Sequence, residues 1–349
     1  MIDLGAIAMK KTCYPLDNNH LRFTGFLSRP LGICCETIQE AEIPCVNLEF
    51  KAEDSFKSWE NLMAQVRAEA DIELCDRTVS KACYYCPNKR LFLQNIQNEK
   101  IKLVNISMYP APCQSDCIYC GMRASGAFNM SDKENVNETY RRVIELCNYL
   151  KENDKLDNDV EFQISSGEIA IHPFKKEILD VIGNATTQFF SNGMKFDEGV
   201  ATKLKQNPKS SIQVSLDCGT SRTWKVVKKR DNFQKTLDNL IRYRESTTRK
   251  EQIELKYIVL PGINAADEDF DGIIKIMKKL DVQKLIISKD SWGANDKKAM
   301  LIGDLKKLVA KLVENDLAWS DDYNLSLEEL NILKVFEDDF RRGIKFNNN

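Results

Sequence analysis

The chain has 349 residues, of which 43% are hydrophobic and 29% charged, and its formal net charge is −2. These values place it in the ordinary globular class and do not indicate a polyanion binder, although they are compatible with a local basic patch. No apolar run is long enough to cross a bilayer. Lys10 and Lys11 follow the mildly apolar start, the reverse of the order in a signal peptide, so we expect a cytoplasmic protein.

Cysteine is the residue type that stands out. Twelve cysteines are present, and ten of them precede residue 121. Because the cytosol keeps thiols reduced, so many cysteines in an intracellular chain are not expected to form disulfides. Thiols gathered in one part of a reduced chain indicate metal binding instead.

From about residue 100 onward, short apolar strands alternate with amphipathic helices. Strands are predicted at Lys102–Met108, Val160–Ser165, Thr187–Phe190, Ile212–Leu216, Ile253–Leu260 and Leu285–Ser288. Helices are predicted after a capping box at Ser131 and Glu134, and at Phe174–Ile182, Phe196–Lys205, Phe233–Tyr243 and Phe270–Leu280. This alternation predicts an α/β fold with a parallel sheet and right-handed crossovers. A partial (β/α)6 barrel is the preferred closure, and a flat doubly wound sheet fits the same alternation.

The two ends of the chain depart from this alternation. Before it, cysteines lie in short irregular segments, with a strand-like stretch at His20–Leu27 and an amphipathic helix containing Phe56. After it, two helices are predicted, Asp304–Asn315 and one capped by Ser326 with Glu329. We therefore expect a cysteine-rich module at 1–98, an α/β domain at 99–295 and a C-terminal helical cover at 296–349.

The motif that carries chemistry follows the first strand of the α/β domain. Cys113, Cys117 and Cys120 form a C-x3-C-x2-C pattern on one short loop. Three thiolates can each bind one iron of a cubane cluster, which leaves the fourth iron without a protein ligand. A closed structural zinc site would instead use four ligands. The spacing alone fits a [4Fe-4S] cluster with one open iron, and it also occurs in zinc proteins.

This loop resembles that of the radical S-adenosylmethionine (SAM) superfamily, and the resemblance runs from about residue 101 to 290. In that family the open iron binds the amino and carboxylate groups of SAM. Tyr119 fills the aromatic position that contacts the adenine there. Ser166, Gly167 and Glu168 stand where the family has Gly-Gly-Glu, with serine for the first glycine. The resemblance implies that Glu168 holds the SAM ammonium.

Later strand ends continue the resemblance. Asn192 lies in a Ser-Asn-Gly sequence similar to the family's Thr-Asn-Gly, and Ser215 and Asp217 frame its Ser-Leu-Asp, near the SAM ribose and carboxylate. Lys228 falls where many relatives have an arginine for that carboxylate, so the charge is kept but the bidentate fork is lost. Asn264 ends the fifth strand. Ligands bind at such carboxyl ends of parallel strands.

The cysteines before residue 99 resemble, in their order, a SPASM-type auxiliary iron–sulfur module. Relatives carry that module after the barrel, whereas here it precedes it. The resemblance implies that a second [4Fe-4S] cluster is held by Cys13, Cys34, Cys83 and Cys86. Cys35 or Cys75 could replace one of these four ligands. One alternative is a structural zinc on four of the same thiolates. The other is that these cysteines bind no metal and are buried as small hydrophobic residues.

Two later cysteines and the two histidines are interpreted separately. Cys147 lies on the apolar face of a helix and is predicted to be a core residue. Cys218 follows a strand end, where a thiol could return a hydrogen atom to a substrate radical, as an epimerase requires; simple tolerance of a small residue is the alternative. His172 is interpreted as structural and His20 as a surface residue.

The resemblance implies an oxidoreductase or isomerase that cleaves SAM to a 5′-deoxyadenosyl radical, which abstracts hydrogen from a substrate C–H bond. Oxidation or epimerisation is favoured because a second cluster offers an electron sink. A peptide or sugar-type metabolite is the expected substrate, and flavodoxin or ferredoxin the expected electron donor. Two alternatives are a non-catalytic metal-binding adaptor, disfavoured by the intact strand-end residues, and an RNA-modifying enzyme, disfavoured by the acidic balance.

Overall fold

The computed structural model describes residues 9–12, 19–23, 31–33, 45–71, 90–93, 100–106, 111–120, 132–165, 167–290, 298–321 and 324–343. The chain divides into two compact units, Met1–Pro112 with Ala127–Gln188, and Cys113–Gly126 with Phe189–Asn349. Across these described ranges, no helix is both long and apolar enough to span a membrane.

The first unit combines short strands with three α-helices in its described part. The strands are β1 (Met9–Thr12), β2 (His20–Phe23), β3 (Leu31–Gly32), β4 (Cys45–Val46), β5 (Arg90–Leu93), β6 (Ile101–Ile106) and β7 (Leu156–Ile164). The helices are α1 (Ala52–Asp71), α2 (Lys133–Glu152) and α3 (Lys175–Ile182). The order across the sheet is β7, β6, β2, β3, β4, and β6 pairs in parallel with both β7 and β2. The predicted cysteine-rich module thus contributes three strands, β2, β3 and β4, to this sheet.

Helix α2 is present as predicted, but its N-cap is one residue later than predicted. Its N-cap is Asp132, whose side chain accepts a hydrogen bond from Asn135 N at 3.2 Å. Ser131, the predicted cap, lies outside the described residues; aspartate caps as well as serine and adds a charge that suits the helix dipole. Cys147 is 2% exposed, and burial raises its pKa to about 12, so its core assignment is confirmed.

The two histidines have different outcomes. His20 was predicted at the surface but is fully buried, in β2, an interior strand of the sheet between β6 and β3. Burial, with a contribution from Arg22, lowers the pKa of His20 to about 3. The structural interpretation of His172 is confirmed: its Nδ1 accepts from Phe174 N at 3.2 Å, and its ring centre lies 4.6 Å from that of Tyr140.

The second unit is a parallel α/β arrangement. Its strands are β8 (Thr186–Ser191), β9 (Ser211–Ser215), β10 (Ile253–Val259), β11 (Lys284–Lys289) and β12 (Ala318–Asp321). Its helices are α4 (Glu198–Gln206), α5 (Ser221–Lys228), α6 (Phe233–Ser246), α7 (Asp267–Leu280), α8 (Lys298–Glu314) and α9 (Leu327–Arg341). The strand order is β12, β11, β10, β9, β8, and β9 to β12 pair in parallel. Apolar side chains of the strands and helices form the core, including the fully buried Val214, Leu255, Ile287, Phe270 and Leu308.

The predicted α/β class with a mostly parallel sheet is confirmed, and all six strands predicted after residue 100 are present. Helix α5 and strand β12 were not predicted. The segment after residue 295 was expected to be wholly helical, but β12 extends the sheet beside β11. The capping box of Ser326 and Glu329 at the start of α9 is confirmed.

Candidate active site

The loop that carries the three-cysteine motif is anchored to the end of helix α5. Asp116 N donates to Lys228 O at 3.2 Å, and Ile118 N donates to Val227 O at 3.0 Å. The last carbonyls of a helix have no partner within the helix, so they are available as acceptors. Arg230, just beyond α5, donates through Nε to Gln114 O at 2.6 Å. A helix that the sequence did not reveal therefore fixes the conformation of this loop.

The three thiols of the loop are accessible and have polar neighbours. Cys113, Cys117 and Cys120 are half-buried, whereas Cys147 and Cys218 are buried. The Ser115 hydroxyl lies 2.9 Å from Cys117 Sγ. In the part of the chain that the structure describes, no three His, Cys, Asp or Glu side chains converge as they would on a single metal ion. A cubane cluster does not require such convergence, because each thiolate binds a different iron.

A buried ion pair lies beside the loop. Lys228 Nζ donates to Asp217 Oδ2 at 2.5 Å and to the Tyr119 hydroxyl at 2.8 Å, and the Tyr119 hydroxyl donates to the same carboxylate oxygen at 2.5 Å. Burial opposes the charge of Lys228, but the negative charge of Asp217 outweighs it, and the pKa of the lysine is raised. Burial and Asp217 also raise the pKa of the Tyr119 hydroxyl. The three groups thus form a closed network of charge and hydrogen bonds.

The turn after β9 is braced by Asn264. Its Nδ2 donates to Asp217 O at 2.8 Å and to Ile258 O at 2.7 Å, and its Oδ1 accepts from Leu260 N at 2.7 Å. The side chain is fully buried, and both its donor and acceptor groups are in use within the protein. Ser215, also predicted at the site, accepts from Lys228 Nζ through its backbone oxygen at 2.8 Å. Direct contact of these residues with SAM stays a prediction.

Gly167 and Glu168 belong to the first unit. Gly167 has φ +53°, and a Cβ at this position would collide with the backbone oxygen of Pro112. The backbone N of Glu168 donates to the same oxygen at 2.9 Å. The Glu168 carboxylate is fully buried and accepts from Ala170 N at 3.2 Å, where it caps a short 3-10 helix, Ile169–Ile171. Its neighbour Ser166 lies outside the described residues.

Cys218 lies next to Asp217 and is fully buried. Burial raises the pKa of its thiol, which therefore keeps its proton. The following turn is held by Asp269, whose Oδ1 accepts from Gly219 N at 3.0 Å and from Thr220 N at 3.1 Å. A Cβ at Gly219 would collide with the backbone oxygen of Asp269, so only glycine fits there.

Sequence reasoning missed three residues that organise this site: Gln114, Arg230 and Asp269. Asp269 had a signal, because it stands in the acidic first turn of α7 with Asp267 and Glu268. Gln114 and Arg230 had none beyond their places next to a cysteine and after α5. The predicted auxiliary ligands Cys13, Cys34, Cys83 and Cys86 lie outside the described residues, as do Cys35 and Cys75.

Comparison with solved structures gives distant likenesses. SuiB of Streptococcus suis, bound to S-adenosylmethionine, has a TM-score of 0.45 at 11% identity over 76% of this chain and 52% of its own. The same protein bound to its precursor peptide SuiA has a TM-score of 0.46 at 10% identity, over 83% and 57%. A radical SAM methyltransferase from Sphaerobacter thermophilus has a TM-score of 0.41 at 13% identity, over 62% and 65%. Likenesses this remote carry no information on substrate.

Comparison by sequence gives one curated relative and one family. The GTPase Obg of Brachyspira hyodysenteriae is 25% identical over 242 residues, which are 64% of this chain and 33% of that protein. The chain thus spans about a third of that relative and about half of SuiB. Residues 111–276 match the model of the Radical SAM superfamily, a range that includes the cysteine loop, Lys228 and Asn264. The similarity to the Radical SAM superfamily therefore extends over residues 111–276, just under half of the chain.

Proposed function

We propose that this chain is a radical SAM enzyme in which Cys113, Cys117 and Cys120 hold a [4Fe-4S] cluster whose open iron binds SAM. The bound cluster supplies the electron that cleaves SAM to methionine and a 5′-deoxyadenosyl radical, the species that takes hydrogen from a substrate C–H bond. The observation that carries the proposal is the set of three accessible thiols on one loop, fixed to the end of α5 within the matched domain.

The residues around the thiols fit a cluster. A hydroxyl at Cys117 and an amide group at Cys113 offer hydrogen bonds to ligand sulfurs, and such bonds stabilise thiolate charge. The buried ammonium of Lys228 stays charged beside the loop, and its positive charge acts on Cys117. A donor group and a fixed cation near several thiolates offset the negative charge that a cluster brings.

The proposed SAM-binding set is Tyr119, Gly167, Glu168, Asn192, Ser215, Asp217, Lys228 and Asn264. In the second unit, the contacts of these residues support different roles for different members of the set. Lys228 and Asn264 are buried and engaged within the protein, which favours a positioning role for both. Their network fixes the Tyr119 hydroxyl through Asp217, and so orients the ring that the resemblance assigns to the adenine.

The proposed outcome is oxidation or epimerisation of a peptide or sugar-type metabolite. Cys218 is the candidate hydrogen-atom donor for epimerisation, because a donor must carry its S–H hydrogen and burial keeps this thiol protonated. Flavodoxin or ferredoxin is the proposed reductant. The second cluster on Cys13, Cys34, Cys83 and Cys86 rests on the cysteine pattern, and it would serve as the electron sink for oxidation.

The test is SAM cleavage by protein reconstituted with iron and sulfide in the absence of oxygen. With dithionite, the wild type is expected to form 5′-deoxyadenosine, and a triple Cys113→Ala, Cys117→Ala, Cys120→Ala variant is expected to form none. Cys45→Ala is the matched control, since Cys45 is a half-buried cysteine outside both predicted ligand sets. A wild type that holds iron on this loop yet forms no 5′-deoxyadenosine would favour the non-catalytic adaptor.

A further inference from the structure

Asn192 is held in one orientation by its neighbours. Its Oδ1 accepts from Met194 N at 2.9 Å and from Gln114 Nε2 at 3.1 Å. A backbone N–H can only donate, so the oxygen of the Asn192 amide must face Met194 and the amide cannot be reversed. Its Nδ2 group therefore points the other way, where Cys113 Sγ lies 3.7 Å away. The amide presents an N–H donor to the cysteine sulfur.

Gln114 closes this arrangement into a ring. It follows Cys113 in the chain, and its side chain donates to the amide that in turn donates to Cys113. Arg230 Nε holds the backbone oxygen of Gln114 at 2.6 Å, so the loop is fixed where the ring begins. The ring thus runs from Cys113 along the backbone to Gln114, across to Asn192 and back to the sulfur.

We propose that Gln114 and Asn192 tune the reduction potential of the cluster by holding an N–H donor against Cys113. The inference rests on the proposed function and assigns both residues a role in electron transfer. Hydrogen bonds to ligand sulfurs are among the features that set cluster potentials. Reduction adds negative charge that is shared with the thiolates, so an N–H donor stabilises the reduced form and raises the potential.

Two neutral substitutions separate this role from a change in charge. Asn192→Leu keeps the branched shape but removes the donor to Cys113. Gln114→Leu leaves the donor in place but removes one of the contacts that orient it, so its effect is expected to be smaller and in the same direction. Gln234→Leu, at an exposed glutamine of α6, is the matched control.

The experiment is a redox titration of the reconstituted protein followed by EPR, with resonance Raman spectra of the iron–thiolate stretching bands. To isolate the cluster on Cys113, all proteins carry the Cys13→Ala and Cys34→Ala substitutions. The midpoint is expected to become more negative in Asn192→Leu, less so in Gln114→Leu and not at all in Gln234→Leu. The stretching bands are expected to move to higher frequency in the same order, which a purely structural role would not produce.

The outcomes are distinguishable. Midpoints in Asn192→Leu and Gln114→Leu equal to that of their parent would overturn the inference, and the proposed function would stand if the parent still cleaves SAM. If Asn192→Leu holds no cluster, Gln114→Leu decides by the same criterion. A parent and wild type that both hold no cluster on the loop would overturn the inference and the proposed function together.

Discussion

The ammonium of Lys228 lies 2.5 Å from the carboxylate of Asp217, and neither side chain is more than 1% exposed. The lysine also donates to the Tyr119 hydroxyl and to Ser215 O, so its three N–H groups all have acceptors. Buried charges are tolerated when their partners are complete, and removal of one partner leaves the other charge uncompensated. This pair therefore links the cysteine loop, α5 and the turn after β9 energetically.

Lys228→Met is expected to destabilise the protein strongly. The substitution leaves Asp217 buried without its cation, and losses of this kind are about 3–5 kcal/mol. The free energy of unfolding, measured by urea denaturation, should fall by that order. Adding Asp217→Asn to Lys228→Met should recover part of the loss, because the remaining buried group is then neutral.

Lys225→Met is the matched control for that prediction. Lys225 lies one turn earlier on α5, and its ion pair with Asp231 at 2.8 Å is exposed, with the two side chains 52% and 73% accessible. Exposed pairs contribute little, so the stability should hardly change. If Lys228→Met and Lys225→Met were equally stable, the buried pair would have no special role in the fold.

Three glycine substitutions separate backbone strain from steric collision. Gly262→Ala meets no atom within 4 Å but has φ +75°, so it should cost about 1–2 kcal/mol through the left-handed backbone alone. Gly167→Ala, at φ +53°, should cost more, because its Cβ would also collide with Pro112 O. Gly303→Ala lies inside α8 with open space around it, and should stabilise by about 0.5–1 kcal/mol. Equal losses at Gly167 and Gly262 would contradict the collision.

The sequence predicted the alternation of strands and helices after residue 100. The strands at Ile212–Leu216 and Leu285–Ser288 were found within a residue of their observed bounds, because each is a short segment rich in apolar residues that lies between predicted helices. The polar residues that follow such strands were singled out by the family resemblance together with their place at a strand end. The role of Asp217 and Asn264 in SAM binding stays a prediction.

What the sequence could not predict depends on contacts between distant segments. Helix α5 ends in a lysine-rich stretch, a pattern typical of a solvent-exposed face, yet Lys228 is fully buried, with Asp217 and Tyr119 as partners for its charge. Strand β12 is four residues long and is formed by its pairing with β11. The amide of Asn192 faces Cys113 only because Met194 and Gln114 orient it. No periodicity or residue spacing in the sequence indicates any of these contacts.

The stability of the protein should decrease as the pH is lowered, because of His172. Burial lowers its pKa to about 4 from the usual 6.5, so between these values the unfolded chain binds a proton that the folded chain does not. Stability therefore rises with pH across this window, by up to about 1.4 kcal/mol per pH unit. Urea denaturation between pH 5 and 7 should show a shallower slope for His172→Asn, whose side-chain oxygen can replace Nδ1 as the acceptor from Phe174 N. Equal slopes in the two proteins would mean that the pKa of His172 is not lowered by folding.

The metal content of the Cys113→Ala, Cys117→Ala, Cys120→Ala variant tests the second cluster. If Cys13, Cys34, Cys83 and Cys86 hold a [4Fe-4S] cluster, this variant should keep about four irons and a reducible EPR signal after anaerobic reconstitution. Adding Cys83→Ala and Cys86→Ala to this variant should remove both the iron and the EPR signal.

Zinc in place of iron, or no metal, would contradict the auxiliary cluster and remove the electron sink on which net oxidation depends. The substrate radical would then have to gain a hydrogen atom, from a donor in the protein or from 5′-deoxyadenosine. A redox-neutral isomerisation would then be the better proposal. The same measurement therefore decides between the two reaction outcomes, because only a protein with two clusters has a built-in acceptor for the substrate electron.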